Sequence, residues 1–194
     1  MPSPLKKILL TLAGLFLLYR SLELTKSLLV QHPANYSTVE TIVLAYLLTL
    51  FITGVFALPG FAWPTHKLLP KKYYNIRYPK TINRMYKILG IKYFKWLLLL
   101  FFWGKKNNRE KYFDGSRRGI NNLLFQSKQS EFGHLGAFFV ISIIVGFLLS
   151  EKYYLLVSFA MIINIIGNFY PVILQRHHRM RVAKLMLHKK FAGN

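Results

Sequence analysis

The chain lacks cysteine entirely and has very few acidic residues. Its 194 residues include 6 Asp and Glu against 27 Lys and Arg, for a net charge of +21. Without cysteine there are no disulfides, no thiolate metal sites and no cysteine nucleophiles. The shortage of carboxylates also nearly excludes hydrolases that need two catalytic carboxylates.

Hydrophobic residues are abundant in spite of this charge. They make up 53% of the chain, and aromatic residues make up 16%. Such an apolar fraction is too high for a disordered chain. A chain that is both strongly basic and strongly apolar is typical of a small membrane protein with one basic face. We therefore expect an all-α integral membrane protein that forms a single membrane domain.

Four long apolar runs predict four transmembrane helices, at about residues 8–30, 39–63, 133–150 and 153–175. The second is the clearest, because about 18 consecutive uncharged residues make a helix of about 27 Å, close to the thickness of the hydrocarbon core. The first run follows Lys6 and Lys7 and is interrupted by Arg20. No small-residue cleavage site follows it, so we expect an uncleaved anchor. Only Glu151 and Lys152 separate the last two runs, which predicts a tight helical hairpin.

A shorter apolar run lies within the basic segment 64–132. It extends from Tyr93 to Trp103 and reaches only about 16 Å as a helix, roughly half the hydrocarbon core. Aromatic residues at its edges suit a membrane interface. We expect a short in-plane or re-entrant helix near residues 84–103; the alternative is that this run completes a small cytoplasmic lobe.

The cations are distributed very unevenly along the chain. Of the 27, 24 fall in the N-terminal arm, the segment 64–132 and the tail 176–194, which four spans place on one side of the membrane. The positive-inside rule makes that side the cytoplasm. We thus expect a multi-pass cell-membrane protein with both termini cytoplasmic and a basic C-terminal helix over about 176–190. Contact with anionic membrane lipids explains most of these cations; no nucleic-acid motif is present, and a phosphate-bearing substrate is the other alternative.

One candidate site lies at the mouth of the third predicted span. Ser130 can cap this helix, and Glu131 then lies in its first turn. Glu131 and His134 are three residues apart and share a helix face. His134 can act as a general base, with Glu131 orienting the ring and stabilising its cationic form. The alternatives are a helix-terminus carboxylate and an interfacial histidine without chemistry. The histidines have too few neighbouring carboxylates to predict a metal site.

A second candidate site is a polar face that closes the last span and continues into the tail. Its members are Asn164, Asn168, Gln175, Arg176, Arg179 and Arg181. The amides recur at spacings of four and seven, and the arginines can hold a phosphate group. Interhelical contacts and a positive stop after the span are the alternatives. Pro171 can kink the helix and free the carbonyl of Gly167.

The motif Asn168-x6-Gln175-Arg176-x2-Arg179-x-Arg181, preceded by Glu131-x2-His134, resembles the glycosyl-4,4'-diaponeurosporenoate acyltransferases. These are small bacterial membrane proteins of carotenoid biosynthesis. Residues 86–96 and the later Phe113-Asp114-Gly115 are also similar, so that the resemblance covers roughly residues 61–185. It implies esterification of the sugar of a carotenoid glycoside with a fatty acyl chain.

Together, the residues and the resemblance predict a membrane-bound acyltransferase. We expect transfer from acyl-CoA or another lipid donor to a hydroxyl of a glycosylated isoprenoid or related lipid, with His134 as the base. Asn168 or Gln175 would orient the donor carbonyl or stabilise its oxyanion, and the arginines would bind the donor phosphates. No cofactor is expected, although acyl-CoA is a possible co-substrate. The alternative is a non-catalytic lipid-binding or assembly subunit.

Overall fold

A computed structural model describes residues 3–101 and 117–191 of the chain. Within these residues every regular element is helical and there is no strand, which confirms the all-α prediction. The helices are α1 Pro4–Val30, α2 Thr38–Ala62, α3 Pro79–Ile88, α4 Ile91–Phe101, α5 Arg117–Ser150, α6 Tyr154–Asn164 and α7 Tyr170–Phe191. A π-helical turn, Ile165–Phe169, joins α6 to α7, and short 3-10 turns lie at Pro33–Asn35, Thr65–Leu68 and Lys71–Tyr74.

Four of the described helical stretches are long and apolar enough to cross a membrane. They are Pro4–Val30, Thr38–Ala62, Gly119–Ser150 and Tyr154–Lys184. They coincide with the four predicted runs, but the third and fourth are much longer than predicted. Residues 120–132 and 176–190 contain neither glycine nor proline, so nothing stops the helix in either place. The predicted cap at Ser130 is therefore wrong, since α5 runs straight through it, and the basic tail helix is continuous with the last span.

The described residues pack into two compact units. Unit 1 comprises the described residues of Met1–His66 and Phe132–Phe169, and unit 2 comprises those of Lys67–Glu131 and Tyr170–Asn194. Each unit has its own polar centre. Helix α5 contributes to both units, whereas α6 belongs to unit 1 and α7 belongs to unit 2.

Unit 1 has an apolar core between α2, α5 and α6. Leu48, Ile141 and Leu156 are fully buried there. Ser37 begins α2 with a capping box, in which its hydroxyl accepts from the Glu40 N–H and its own N–H donates to the Glu40 carboxylate. This arrangement satisfies two backbone donors at the start of the helix and fixes where the second span begins.

In unit 2, two short helices, α3 and α4, are found where a single in-plane helix was predicted. Gly90 separates them with a φ of +63°, a conformation that glycine adopts without strain. Trp96 and Leu100 of α4 are exposed, which is consistent with a membrane-facing surface. The in-plane placement of α4 stays a prediction, and Trp103 lies outside the described residues.

Candidate functional site

Two amides of the last span are completely buried in unit 1. Asn164 is 0% exposed and Asn168 is 1% exposed. The Asn164 Nδ2 donates to the carbonyl oxygen of Phe138 at 3.1 Å and to the Ser142 hydroxyl at 3.2 Å, both on α5. Because buried amides are costly unless they are hydrogen-bonded, these contacts join α6 to α5 at a defined register.

From Asn164 a chain of hydrogen bonds leads to His134. The Asn168 Nδ2 donates to Asn164 Oδ1 at 3.0 Å and to Thr53 Oγ1 of α2 at 3.1 Å. The Asn168 Oδ1 lies 3.1 Å from His134 Nδ1. Three helices thus contribute to one continuous neutral network, and the half-buried histidine stands at its end.

The donor and acceptor of every hydrogen bond in this network can be assigned from its Phe138 end, opposite His134. The Phe138 carbonyl can only accept, so the Asn164 group facing it is the NH2 and its Oδ1 faces Asn168. Asn168 therefore presents its own NH2 to Asn164 and its Oδ1 to His134. An oxygen acceptor at this position requires a proton on His134 Nδ1. In the neutral ring, the lone pair is then on Nε2.

A second contact to the ring comes from the π-helical turn. The His134 ring is hydrogen-bonded to the backbone of Gly167. Gly167 is the i−4 residue of Pro171, which has no N–H to donate to that carbonyl. The π-helical geometry of Ile165–Phe169 occurs at this point, as such turns often do at functional sites. The ring thus has two partners on the last span, the Asn168 side chain and the Gly167 backbone.

Close packing surrounds this histidine on its own helix. Gly133 and Gly136 flank it, and α2 approaches them through Phe56. A Cβ atom on Gly136 would come within 2.5 Å of the Phe56 ring, and one on Gly133 would lie 3.6 Å from the Phe56 carbonyl oxygen. The absence of a side chain at Gly136 thus lets the Phe56 ring of α2 pack against the helix face beside His134, whereas a Cβ on Gly133 would make only an ordinary van der Waals contact.

Unit 2 has a polar centre of a different kind, which is built on Glu131. This carboxylate is fully buried. Its Oε1 accepts from Arg176 Nε at 2.7 Å and from the Tyr73 hydroxyl at 2.9 Å, and its Oε2 accepts from Arg179 Nη2. The Nη1 of Arg179 donates to the Ser127 hydroxyl at 3.0 Å. Both oxygens of the carboxylate are therefore occupied by charge-assisted hydrogen bonds.

Aromatic rings cover the two guanidinium groups. Arg176 lies 4.8 Å from the centroid of Tyr73, and Arg179 lies 5.6 Å from that of Tyr74, which is cation–π distance. Burial, with a further contribution from the charge of Glu131, raises the pKa of Tyr73 to about 12. The phenol is thus neutral at physiological pH and donates its proton to the carboxylate. With two arginines and one carboxylate, the cluster carries a net positive charge.

The remaining members of the polar face also lie in unit 2. Gln175 is buried, and its Nε2 donates to the Ser130 hydroxyl at 3.3 Å. The backbone carbonyl of Gln175 accepts from the Ser127 hydroxyl at 3.2 Å. These bonds tie α7 to α5 within the unit. Arg181, by contrast, is exposed on α7.

The structure thus groups the candidate residues differently from the prediction. His134 has Asn168 as its partner, while Glu131, the expected orienter of that ring, binds Arg176 and Arg179. Arg179, expected to hold a donor phosphate, is only 4% exposed and has its Nη atoms engaged. The i, i+3 spacing of Glu131 and His134 allowed an interaction, but two arginines are stronger partners for a buried carboxylate than a neutral imidazole.

Sequence reasoning missed Thr53, Ser127 and Tyr73 as members of these networks. Thr53 and Ser127 carry no signal in the sequence, because single hydroxyls are common in helices and usually bond their own backbone. Tyr73 lies in the run Lys71-Lys72-Tyr73-Tyr74, whose mixture of cations and aromatic rings is conspicuous. The run alone does not reveal that one of its phenols reaches a buried carboxylate 58 residues later.

Comparison with protein families gives a match over most of this region. A model of the glycosyl-4,4'-diaponeurosporenoate acyltransferases matches residues 70–188, which include His134, Glu131 and the whole polar face. Comparison with curated proteins and with solved structures finds no match. Since the matched region is more than half of the chain, this protein belongs to the glycosyl-4,4'-diaponeurosporenoate acyltransferase family.

Proposed function

We propose that this protein transfers a fatty acyl group from acyl-CoA or another lipid donor to a sugar hydroxyl of a glycosylated carotenoid, with His134 as the general base. The family supports the reaction class and the acceptor. The observation that carries the assignment of the base is the hydrogen-bond chain that ends on His134 Nδ1. That chain directs the ring lone pair to Nε2, the nitrogen that would take the proton.

In the proposed step, the hydroxyl oxygen attacks the carbonyl carbon of the donor while His134 Nε2 removes the hydroxyl proton. A carbon–oxygen bond forms and the carbonyl oxygen becomes an oxyanion. The oxyanion then collapses and expels the donor's leaving group, a thiolate if the donor is acyl-CoA. The imidazolium returns its proton to that group, so His134 ends the cycle in its starting form. Direct attack needs no covalent enzyme intermediate.

Asn168 takes the place of Glu131 as the positioning residue in this proposal. It accepts from Nδ1 and so fixes the tautomer, which is the function that a third group performs in nucleophile–base–orienter sites. An amide is a weaker partner for the imidazolium than a carboxylate, but it avoids a buried charge in a membrane span. Glu131 and Arg179 then hold unit 2 together, and Arg176 remains a candidate for binding the donor.

The assignment of the base is tested with His134→Ala. Removal of a general base typically lowers the rate about 10²–10⁴-fold, and we expect a loss in that range in kcat/KM. Acyl transfer is measured in membranes with labelled acyl-CoA and extracted glycosylated carotenoid. The control is His32→Ala, which removes an exposed histidine and should retain activity. Near-normal turnover by His134→Ala at equal expression would contradict the assignment.

We further propose that both termini and the segment 64–132 face the cytoplasm, where the acyl-CoA pool lies. The distribution of 24 of the 27 cations supports this. Because the chain has no cysteine, Lys80→Cys and Lys152→Cys each introduce a single thiol. In intact cells an impermeant thiol reagent should label the variant at 152 and not the one at 80; the reverse pattern would contradict the orientation.

A further inference from the structure

Unit 2 contains a cavity of about 420 Å³ beside its charged cluster. It is bounded by the 3-10 turn Lys71–Tyr74, the start of α3 and one side chain of α7. Its polar lining includes Lys72, Tyr73, Arg77, Tyr78, Thr81 and Arg176. A volume of this size is in the range of small-molecule sites.

All of the charged residues that line this cavity are cations. Three of its ten residues are cations, at positions 72, 77 and 176, and none is acidic. The carboxylate nearest to Arg176 is Glu131, which Arg176 shares with Arg179. One negative charge divided between two guanidinium groups leaves a positive potential at the cavity wall, and such a concave basic surface attracts anions.

The donor groups at this wall are also arranged for an oxyanion. Arg176 binds Glu131 through Nε, and its guanidinium group also carries two Nη groups, the end of the fork that suits phosphate. Its side chain is 30% exposed, in contrast to 5% for Arg179. Lys72 and Arg77, which also line the cavity, are exposed to solvent. Apolar side chains at Pro70, Ile82 and Met85 complete the lining.

We propose that this cavity binds the phosphate-bearing part of the acyl donor, through Lys72, Arg77 and Arg176. The proposal rests on the acyl transfer proposed above and names the class of donor that it uses, an acyl chain linked to a phosphate group. Two sources have this chemistry: a nucleotide thioester such as acyl-CoA, and an anionic phospholipid. The phosphate site is thus centred on Lys72, Arg77 and Arg176, while Arg179 is a structural residue of the buried cluster.

The test compares two double variants with the same loss of charge. Lys72→Gln/Arg77→Gln removes two cations from the cavity wall. Lys71→Gln/Arg84→Gln removes two exposed cations of the same unit that do not line the cavity. The full-length protein in phosphatidylcholine nanodiscs is titrated by calorimetry with free coenzyme A, and in a second arm with short-chain phosphatidylglycerol. Thermal unfolding of each variant confirms that it is folded.

We expect the cavity variant to bind at least one of the two ligands about tenfold or more weakly than wild type, because it loses charge-assisted hydrogen bonds. The control variant should stay within about twofold. A loss for coenzyme A identifies the nucleotide source, and a loss for phosphatidylglycerol identifies the lipid source. Equal affinities of the two double variants, or no binding of either ligand by wild type, would overturn the proposal. Because binding is measured without turnover, this result stays separate from the outcome of the His134→Ala assay.

Discussion

The two units bury polar groups by opposite means. Unit 1 uses neutral amides and hydroxyls in a line, whereas unit 2 gathers one carboxylate, two guanidinium groups and a phenol around a single point. In the line, each amide donates through its NH2 and accepts through its oxygen, so the position of the proton on His134 is determined. In the cluster, every oxygen of the carboxylate is occupied. The line can therefore position a group that exchanges a proton, whereas the carboxylate of the cluster is fully committed to holding helices of unit 2 together.

The difference in charge also makes the two centres respond differently to mutation. A buried ion cluster from which one partner is removed keeps an uncompensated charge, at a cost of about 3–5 kcal/mol. A neutral hydrogen bond that loses one partner costs about 1–3 kcal/mol. Mutations of the ionic cluster in unit 2 should thus affect folding first, and mutations of the neutral network in unit 1 should affect turnover first.

The largest expected effect is on the stability of unit 2. Glu131→Ala leaves Arg176 and Arg179 without their shared carboxylate and should lower the free energy of unfolding by about 3–5 kcal/mol. Denaturant titration in mixed micelles, followed by circular dichroism, measures this. Glu151→Ala, which removes an exposed carboxylate, should change stability by less than about 0.5 kcal/mol. A Glu131→Ala protein as stable as wild type would contradict the proposed role of the ionic cluster in the stability of unit 2.

A smaller effect is expected on turnover when the hydrogen-bond network of unit 1 is interrupted at Asn168. Asn168→Leu removes the acceptor of His134 Nδ1 and should lower kcat about 10- to 100-fold with little change in KM, since geometry and tautomer matter mainly in the transition state. Asn168→Asp keeps an oxygen at this position and should recover part of the rate. The control, Ser158→Ala, removes an exposed hydroxyl that bonds its own helix backbone.

A spectroscopic measurement distinguishes positioning from simple damage. The ¹⁵N shifts of His134 report which ring nitrogen carries the proton. In the wild type we expect Nδ1 to be protonated and Nε2 to be unprotonated, and in Asn168→Leu we expect a mixture of both tautomers. A wild-type ring protonated only on Nε2 would contradict the direction of the hydrogen-bond chain and the base assignment together.

The smallest effect concerns the phenol of the ionic cluster. The pKa of Tyr73 is raised to about 12 in the folded protein, mainly by burial, from an ordinary value near 10. The stabilising effect of the neutral phenol is thus complete below about pH 10 and is lost as the pH rises through about 12. Tyr73→Phe should flatten the fall in the melting temperature over that interval. If the melting temperature of Tyr73→Phe falls at alkaline pH as it does in wild type, ionisation of Tyr73 is not the cause of the fall.

The all-α class and the four long apolar helices were predictable from the sequence because both depend on composition and local pattern. The uncharged run after Glu40 could only be a span, and the absence of glycine and proline in 176–190 favours a continuous helix. Partner choice was not predictable in the same way. Glu131 has His134 one turn away and two arginines 45 and 48 residues away, and only the folded chain brings the arginines within reach. The amide spacing of Asn164 and Asn168 indicated a shared face, but not that its end would be the histidine.

The contact between Phe56 and Gly136 has a consequence for how this protein can diverge. Position 136 lies within the part of the chain that matches the family, whereas position 56 lies outside residues 70–188. A Cβ atom at 136 would require the Phe56 ring to move. Homologues with alanine or serine at 136 should therefore carry a smaller side chain at 56, so that the two positions vary together. The constraint beside His134 thus extends into the N-terminal half, and a chimera that exchanges only the family-matched region should need a compensating change at 56.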